Sequence, residues 1–138
     1  MIQVILGKKG TGKTKKIIQM ANDTLKSATG DIVFIDHDKQ YMYDLKHNIR
    51  FIDASEYEIE SPKMFFGFLC GIAANNFDLE YLFIDKFLKI VKHDLSELEG
   101  LFEHLSTFSE RCKVNIIMSI STDPEQIPEY LKSYSVVK

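Results

Sequence analysis

The chain has 138 residues, with 17 Lys/Arg against 20 Asp/Glu, 45% hydrophobic residues and 27% charged ones. That size suits one domain, spanning residues 1–138, with a core large enough to need no disulfide or metal staple. The mix excludes a disordered, collagen-like or cysteine-stapled chain. The longest apolar run, Met64 to Ala74, is too short for a bilayer span of about 20 residues.

No basic, apolar and small-residue sequence of the signal-peptide kind opens the chain, and Cys70 and Cys112 fall in separate helix-like segments. A cytoplasmic protein with reduced thiols is expected. Charge is unevenly placed: residues 1–50 carry +4 and residues 51–138 carry −7. Lys8, Lys9, Lys13, Lys15 and Lys16 cluster without an intervening acid, a local field that suits a polyanionic ligand. The acidic balance gives no support for nucleic-acid binding, which usually shows a basic domain.

Ile2 to Leu6 reads as a buried strand, and residues 13–27 as a helix with Ile17, Ala21 and Leu25 at i, i+4 and i+8. Gly30-Asp31 turns the chain into a second strand, Ile32 to Asp36, and a third is expected at Ile49 to Asp53. The segment between them has room for a short helical crossover. Ser61-Pro62 starts a helix, with a hydroxyl cap and proline at its first position. Met64, Phe65, Phe66, Phe68, Leu69 and Ile72 make that helix apolar on most sides. It is either deeply buried or presents a face to a protein partner or a second copy of the chain.

Tyr81 to Asp85 reads as a buried strand ending in an acid. Ser96 and Glu99 fit a capping box before a helix with Leu98, Leu101, Phe102, Leu105 and Phe108 on one stripe. Val114 to Ile120 is a further strand, Asp123-Pro124 starts a helical turn, and Tyr134 to Val137 is a final edge strand. Strands that alternate with helices and are apolar on both faces predict an α/β three-layer sandwich. Its sheet is mostly parallel, with about five or six strands. Ligands in such sheets sit at the carboxyl ends of the strands.

One strand end carries the pattern Gly7-Lys8-Lys9-Gly10-Thr11-Gly12-Lys13-Thr14, a full match to G-x-x-x-x-G-K-[ST] between a predicted strand and a predicted helix. Glycines let the backbone curl into an anion nest. The helix that follows adds its positive dipole end and free N–H groups. Lys13 then reaches the β- and γ-phosphates, and the Thr14 hydroxyl ligates Mg²⁺. Asp85, at the end of an apolar strand, is expected to hold the same Mg²⁺ from the opposite side.

Residues 7–14 and 81–85 resemble the Walker A and Walker B motifs of the P-loop NTPase superfamily. The strands between the two motifs resemble its additional-strand, RecA-like branch, where another strand lies between the Walker A and Walker B strands. The resemblance implies ATP and Mg²⁺ as ligands. It also implies a glutamate after the Walker B acid, where this chain has Lys86, and a polar sensor at the end of the next strand, with Ser119, Ser121 and Thr122 as candidates. Asp36 and Asp38, at the carboxyl end of the second strand, are placed to orient water, whereas Glu80 precedes its strand and falls at the wrong end.

The N/T-K-x-D motif of guanine-specific proteins is missing after Val114 to Ser121, which favours ATP. Tyr41, Tyr43 and Tyr134 are assigned to packing ahead of base stacking. With Arg50 and Arg111 as its two arginines, the chain has little from which to build the phosphate-closing lid of a small kinase. The reading is a Mg·ATP-binding protein with slow or partner-dependent hydrolysis. A nucleotide-gated module without turnover and a small-molecule phosphotransferase are the alternatives.

Overall fold

The computed structural model describes residues 1–137. Six strands form one sheet: β1 (Ile2–Gly7), β2 (Asp31–Asp36), β3 (Arg50–Asp53), β4 (Leu79–Ile84), β5 (Asn115–Ser121) and β6 (Ser135–Val136). Their order in space is β3-β2-β4-β5-β1-β6, and every pairing is parallel. Parallel neighbours cannot be joined by hairpins, so the connections cross the faces of the sheet. α1 (Lys13–Thr24) links β1 to β2, α2 (Pro62–Ala74) links β3 to β4, and α3 (Phe87–Val91) and α4 (Glu99–Cys112) link β4 to β5. A 3-10 turn at Met42–Asp44 is the regular element between β2 and β3.

Successive strand residues point to opposite faces, and here both faces are buried. On one face Ile5, Phe34, Phe83 and Ile117 pack with Ile17 and Ala21 of α1. On the other, Val4, Ile35, Leu82 and Met118 pack with Phe65 and Leu69 of α2, Phe87 of α3 and Phe102 of α4. The result is the expected helix–sheet–helix layering. Phe87 sits between Phe65 and Phe102, with edge-on ring contacts at 5.6 and 5.7 Å, so one residue ties α2, α3 and α4 together.

Several boundaries differ from the sequence reading. α1 stops at Thr24, and residues 25–27 are a turn, although Leu25 still packs on the core. β4 begins at Leu79, two residues early. The Ser96–Glu99 capping box does not form. Ser96 donates its hydroxyl to Asp94 inside a 3-10 turn, and Leu98 caps α4 without a side-chain hydrogen bond. The stripe behind it holds, with Leu98, Leu101, Phe102, Leu105 and Phe108 all buried.

α2 is capped as its sequence predicts, the Ser61 hydroxyl accepting from the Met64 N–H at 3.2 Å. It buries Phe65 and Leu69 completely, and Phe66, Phe68, Cys70 and Ile72 in part, against this chain's own core. Met64 is left 47% exposed, so most of its apolar surface is already used within the chain. No helix among the described residues is long and apolar enough to cross a membrane.

All carboxyl ends of the strands lie on one rim. In space β5 separates β1 from β4, while β2 and β3 fall outside β4. Gly7, Asp36, Asp53, Asp85 and Ser121 therefore come to the same side from distant parts of the chain.

Candidate functional site

The turn from β1 into α1 depends on two left-handed glycines, Gly10 at φ 81° and Gly12 at φ 86°. Side chains rarely adopt that region, and glycine enters it without steric cost. No atom lies within 4 Å of where a Cβ would stand at either position, so the loop faces open space there. Gly7 is the reverse case, since a Cβ would meet Thr11 Oγ1 at 2.7 Å. Gly12 caps α1 without any side-chain hydrogen bond, and no acid lies in the first turn. The first-turn N–H groups and the positive end of the helix dipole are thus left without a carboxylate of their own.

Two side chains converge on one carbonyl inside the loop. Lys13 Nζ and Thr11 Oγ1 each donate to the Lys8 oxygen at 2.7 Å. Burial holds the Lys13 pKa below its ordinary value, with the Asp85 charge acting against that shift. Thr14 turns inward and donates its hydroxyl to Asp85 Oδ2 at 2.9 Å, across 71 residues of chain.

Asp85 follows β4, and its N–H still donates to the Ile35 oxygen at 2.9 Å, so the sheet ladder fixes where its side chain starts. It is fully buried. Its Oδ1 accepts from the Ser119 hydroxyl, and Ser119 Oγ in turn accepts from the Lys86 N–H at 2.8 Å. Lys86 holds φ 54°, and its ammonium lies 3.3 Å from Asp36 Oδ1 and 3.6 Å from Asp85 Oδ2. The same ammonium stands 5.0 Å from the centre of the Tyr41 ring.

Asp36 ends β2 and is also fully buried. Its Oδ1 accepts from the His37 N–H at 2.7 Å as well as from Lys86, and its Oδ2 has no hydrogen-bond partner among the described residues. Burial first, and then the Asp85 charge, push its pKa up to about 6, while Lys86 and the His37 N–H pull it down. Lys86 itself is desolvated, yet Asp36 and Asp85 outweigh that and raise its pKa.

The structure separates residues that the sequence left equivalent. Asp36 lies against Asp85 and Lys86, whereas Asp38 is half-exposed and accepts from the Gln40 N–H in its own loop at 3.0 Å. Ser119, two residues before Ser121, is the serine that meets Asp85. Ile84 is opposite Met118, so Asp85 is level with Ser119. Ser121 is opposite Gly7 and exposed, about 6–7 Å farther along the strand at about 3.3 Å per residue. Glu80 is remote from the rim and accepts from the Thr29 and Gly30 N–H groups at the other end of the sheet. The ion pairing of Lys86 with both acids has no local signal in the sequence, since Asp36 is 50 residues away.

A cavity of about 940 Å³ opens over these groups. Gly10, Gly12, Lys13 and Thr14 form one wall, Asp85, Lys86 and Ser119 the base, and Ile18, Asn22, Tyr41 and Lys46 an extension along α1. Asn22 fixes that extension, donating to the Asp44 oxygen at 3.0 Å and accepting from the Lys46 N–H at 2.9 Å. A second cavity of about 480 Å³ adjoins Lys8, Lys9, Ser121 and Thr122. No group of three or more His, Cys, Asp or Glu able to hold a metal occurs among the described residues. Magnesium bound alongside phosphates needs only one or two protein oxygens, so a site of that kind needs no such group.

No protein-family model matches the chain, and neither does any curated protein sequence. Among solved structures, it is similar to the flagellar accessory protein FlaH from Methanocaldococcus jannaschii, with a TM-score of 0.56 at 16% identity. The similarity covers 96% of this chain and 65% of that one, so the present chain spans about two-thirds of the FlaH structure. At this identity the likeness concerns the fold, an α/β architecture with a six-stranded parallel sheet.

Proposed function

We propose that the chain is a P-loop nucleotide-binding protein that takes Mg·ATP at the rim of its sheet and hydrolyses it slowly. The observation that carries this reading is the Thr14 hydroxyl on Asp85 Oδ2 at 2.9 Å. Two motifs far apart in sequence meet at the one point where their shared chemistry requires them to meet. The shape of the loop supports it: left-handed Gly10 and Gly12 open the backbone toward the cavity, and α1, with no side-chain cap, offers N–H groups to an anion.

In this reading the backbone of Gly7, Lys8, Lys9, Gly10, Thr11 and Gly12 curls around the phosphates. Lys13 exchanges the Lys8 carbonyl for phosphate oxygens. Thr14 and Asp85 supply a hydroxyl and a carboxylate oxygen, the hard donors that Mg²⁺ takes, and Ser119 fixes the orientation of Asp85. When bound, the ion neutralises charge on the phosphates. Asp36 is the acid best placed to orient a water. Its pairing with Lys86 occupies it and favours slow turnover, or a module that binds nucleotide without cleaving it.

Calorimetric titration with Mg·ATP tests the reading. The parent should bind, and Lys13→Ala should lose at least about tenfold in affinity, about 1.4 kcal/mol, while remaining folded. Equal affinity in the two proteins would refute the phosphate-loop assignment.

A further inference from the structure

Lys86 places its ammonium between two fully buried acids of the rim, Asp36 and Asp85. Its side chain is 20% exposed, and its ammonium lies 3.3 Å from Asp36 Oδ1 and 3.6 Å from Asp85 Oδ2. Oδ2 is the same oxygen that accepts from Thr14. The lysine therefore stands at the point on Asp85 where the proposed magnesium site is built. Its backbone is left-handed at φ 54°, a sparsely populated conformation for a lysine, and the Lys86 N–H to Ser119 Oγ bond at 2.8 Å holds it there. Ser119 also donates to Asp85 Oδ1, so one serine fixes both the acid and the start of the lysine.

We infer that Lys86 is a tethered counter-cation that occupies the divalent-cation position at Asp85 and has to leave before a metal ion can settle there. The inference rests on reading Thr14 and Asp85 as that cation site. An ammonium and a divalent ion repel each other, so the two do not share Asp85 Oδ2 at contact distance. With the metal absent, Lys86 offsets part of the buried charge of Asp36 and Asp85. On metal binding the lysine swings away on its flexible stem. Asp36 Oδ1 at 3.3 Å stays available to it as an acceptor, and a phosphate of a bound nucleotide would be a second. Lys86 thus lowers the affinity of the bare site for a divalent ion and reduces the dependence of nucleotide binding on Mg²⁺.

The test uses Mn²⁺ as the probe, followed by electron paramagnetic resonance on the nucleotide-free protein. Lys86→Met should bind Mn²⁺ at least tenfold more tightly than the parent. Lys86→Arg, which keeps the charge, should stay close to the parent. Lys86→Met combined with Asp85→Asn should lose the gain. If Lys86→Met leaves two repelling acids and fails to fold, Lys86→Met combined with Asp36→Asn removes one of them and should still gain Mn²⁺ binding. Unchanged Mn²⁺ affinity in the folded charge-deleted protein overturns the inference, and so does a gain that survives Asp85→Asn.

ATP titrations form a separate arm. The ratio of ATP affinity in Mg²⁺ to that in EDTA should rise at least tenfold in Lys86→Met. An unchanged ratio in proteins that do bind ATP counts against Lys86. If no protein of the series binds ATP while the Mn²⁺ gain is seen, the nucleotide reading fails and the role of Lys86 stands.

Discussion

Asp36 makes the stability of this fold depend on pH. Its side chain is fully buried, and burial followed by the Asp85 charge raises its pKa from 3.8 to about 6, even with Lys86 3.3 Å away. In the unfolded chain the same group is a solvated aspartate. Between about pH 4 and pH 6 the folded state therefore holds more protons than the unfolded state, and stability falls as pH rises. The stabilisation is fully present below the unfolded value and is lost as pH rises through the folded one. A shift from 3.8 to about 6, at about 1.36 kcal/mol per unit, amounts to about 3 kcal/mol. Asp36→Asn keeps the shape and cannot ionise, so it should escape that loss. Urea unfolding of parent and variant in EDTA, without nucleotide, at about pH 4.5 and about pH 7.5 measures the difference. Relative to the parent, the variant should gain about 2 kcal/mol between the two conditions. Parallel pH dependence in the two proteins would refute the argument and mean that Asp36 is solvated or fully compensated by Lys86.

Two further outcomes follow from the packing and the site. Phe87→Ala should cost about 3–5 kcal/mol in chemical denaturation, because it empties the contact between Phe65 and Phe102 at the junction of three helices. A loss below about 1 kcal/mol would mean that the junction collapses around the gap. The isolated protein should release phosphate from ATP at a rate on the order of 10⁻⁴–10⁻² per second, with Lys13→Ala as the control. A Lys13-dependent rate above about 1 per second would refute the slow reading and mean that Asp36, Asp38 or another group is a competent base.

Much of the fold was legible because its signals are local. The apolar runs at Ile2 to Leu6 and Val114 to Ile120, and the stripe at Leu98, Leu101, Phe102, Leu105 and Phe108, each identify an element without reference to the rest of the chain. The Gly7–Thr14 pattern is local too, since eight consecutive residues specify a turn, two left-handed glycines and a helix start. What failed was decided by competition at short range. Ser96 matches a capping pattern, but a 3-10 turn takes up Leu95–Glu97, where its hydroxyl donates back to Asp94, and α4 starts only at Glu99.

The centre of the site was legible only in part, because it depends on register between strands that are remote in the chain. The sequence places serines at 119 and 121 on the same face of β5. It does not say which one is level with Asp85 until the Ile84–Met118 pairing is known. Asp36 and Asp38 differ in the same way: one ends a ladder beside β4, and the other turns back on its own loop. Lys86 shows the consequence most clearly. Read alone, it is a missing glutamate and subtracts a function. Placed between Asp36 and Asp85, it is a cation held by two buried acids, and it adds one. In the proposed reading, the residue that stands where a base is expected also brings a mobile charge to the metal position. Slow hydrolysis and weak dependence on magnesium are, on that reading, two expected results of one residue, and Lys86→Met should separate them, strengthening metal binding at Asp85 without restoring a base.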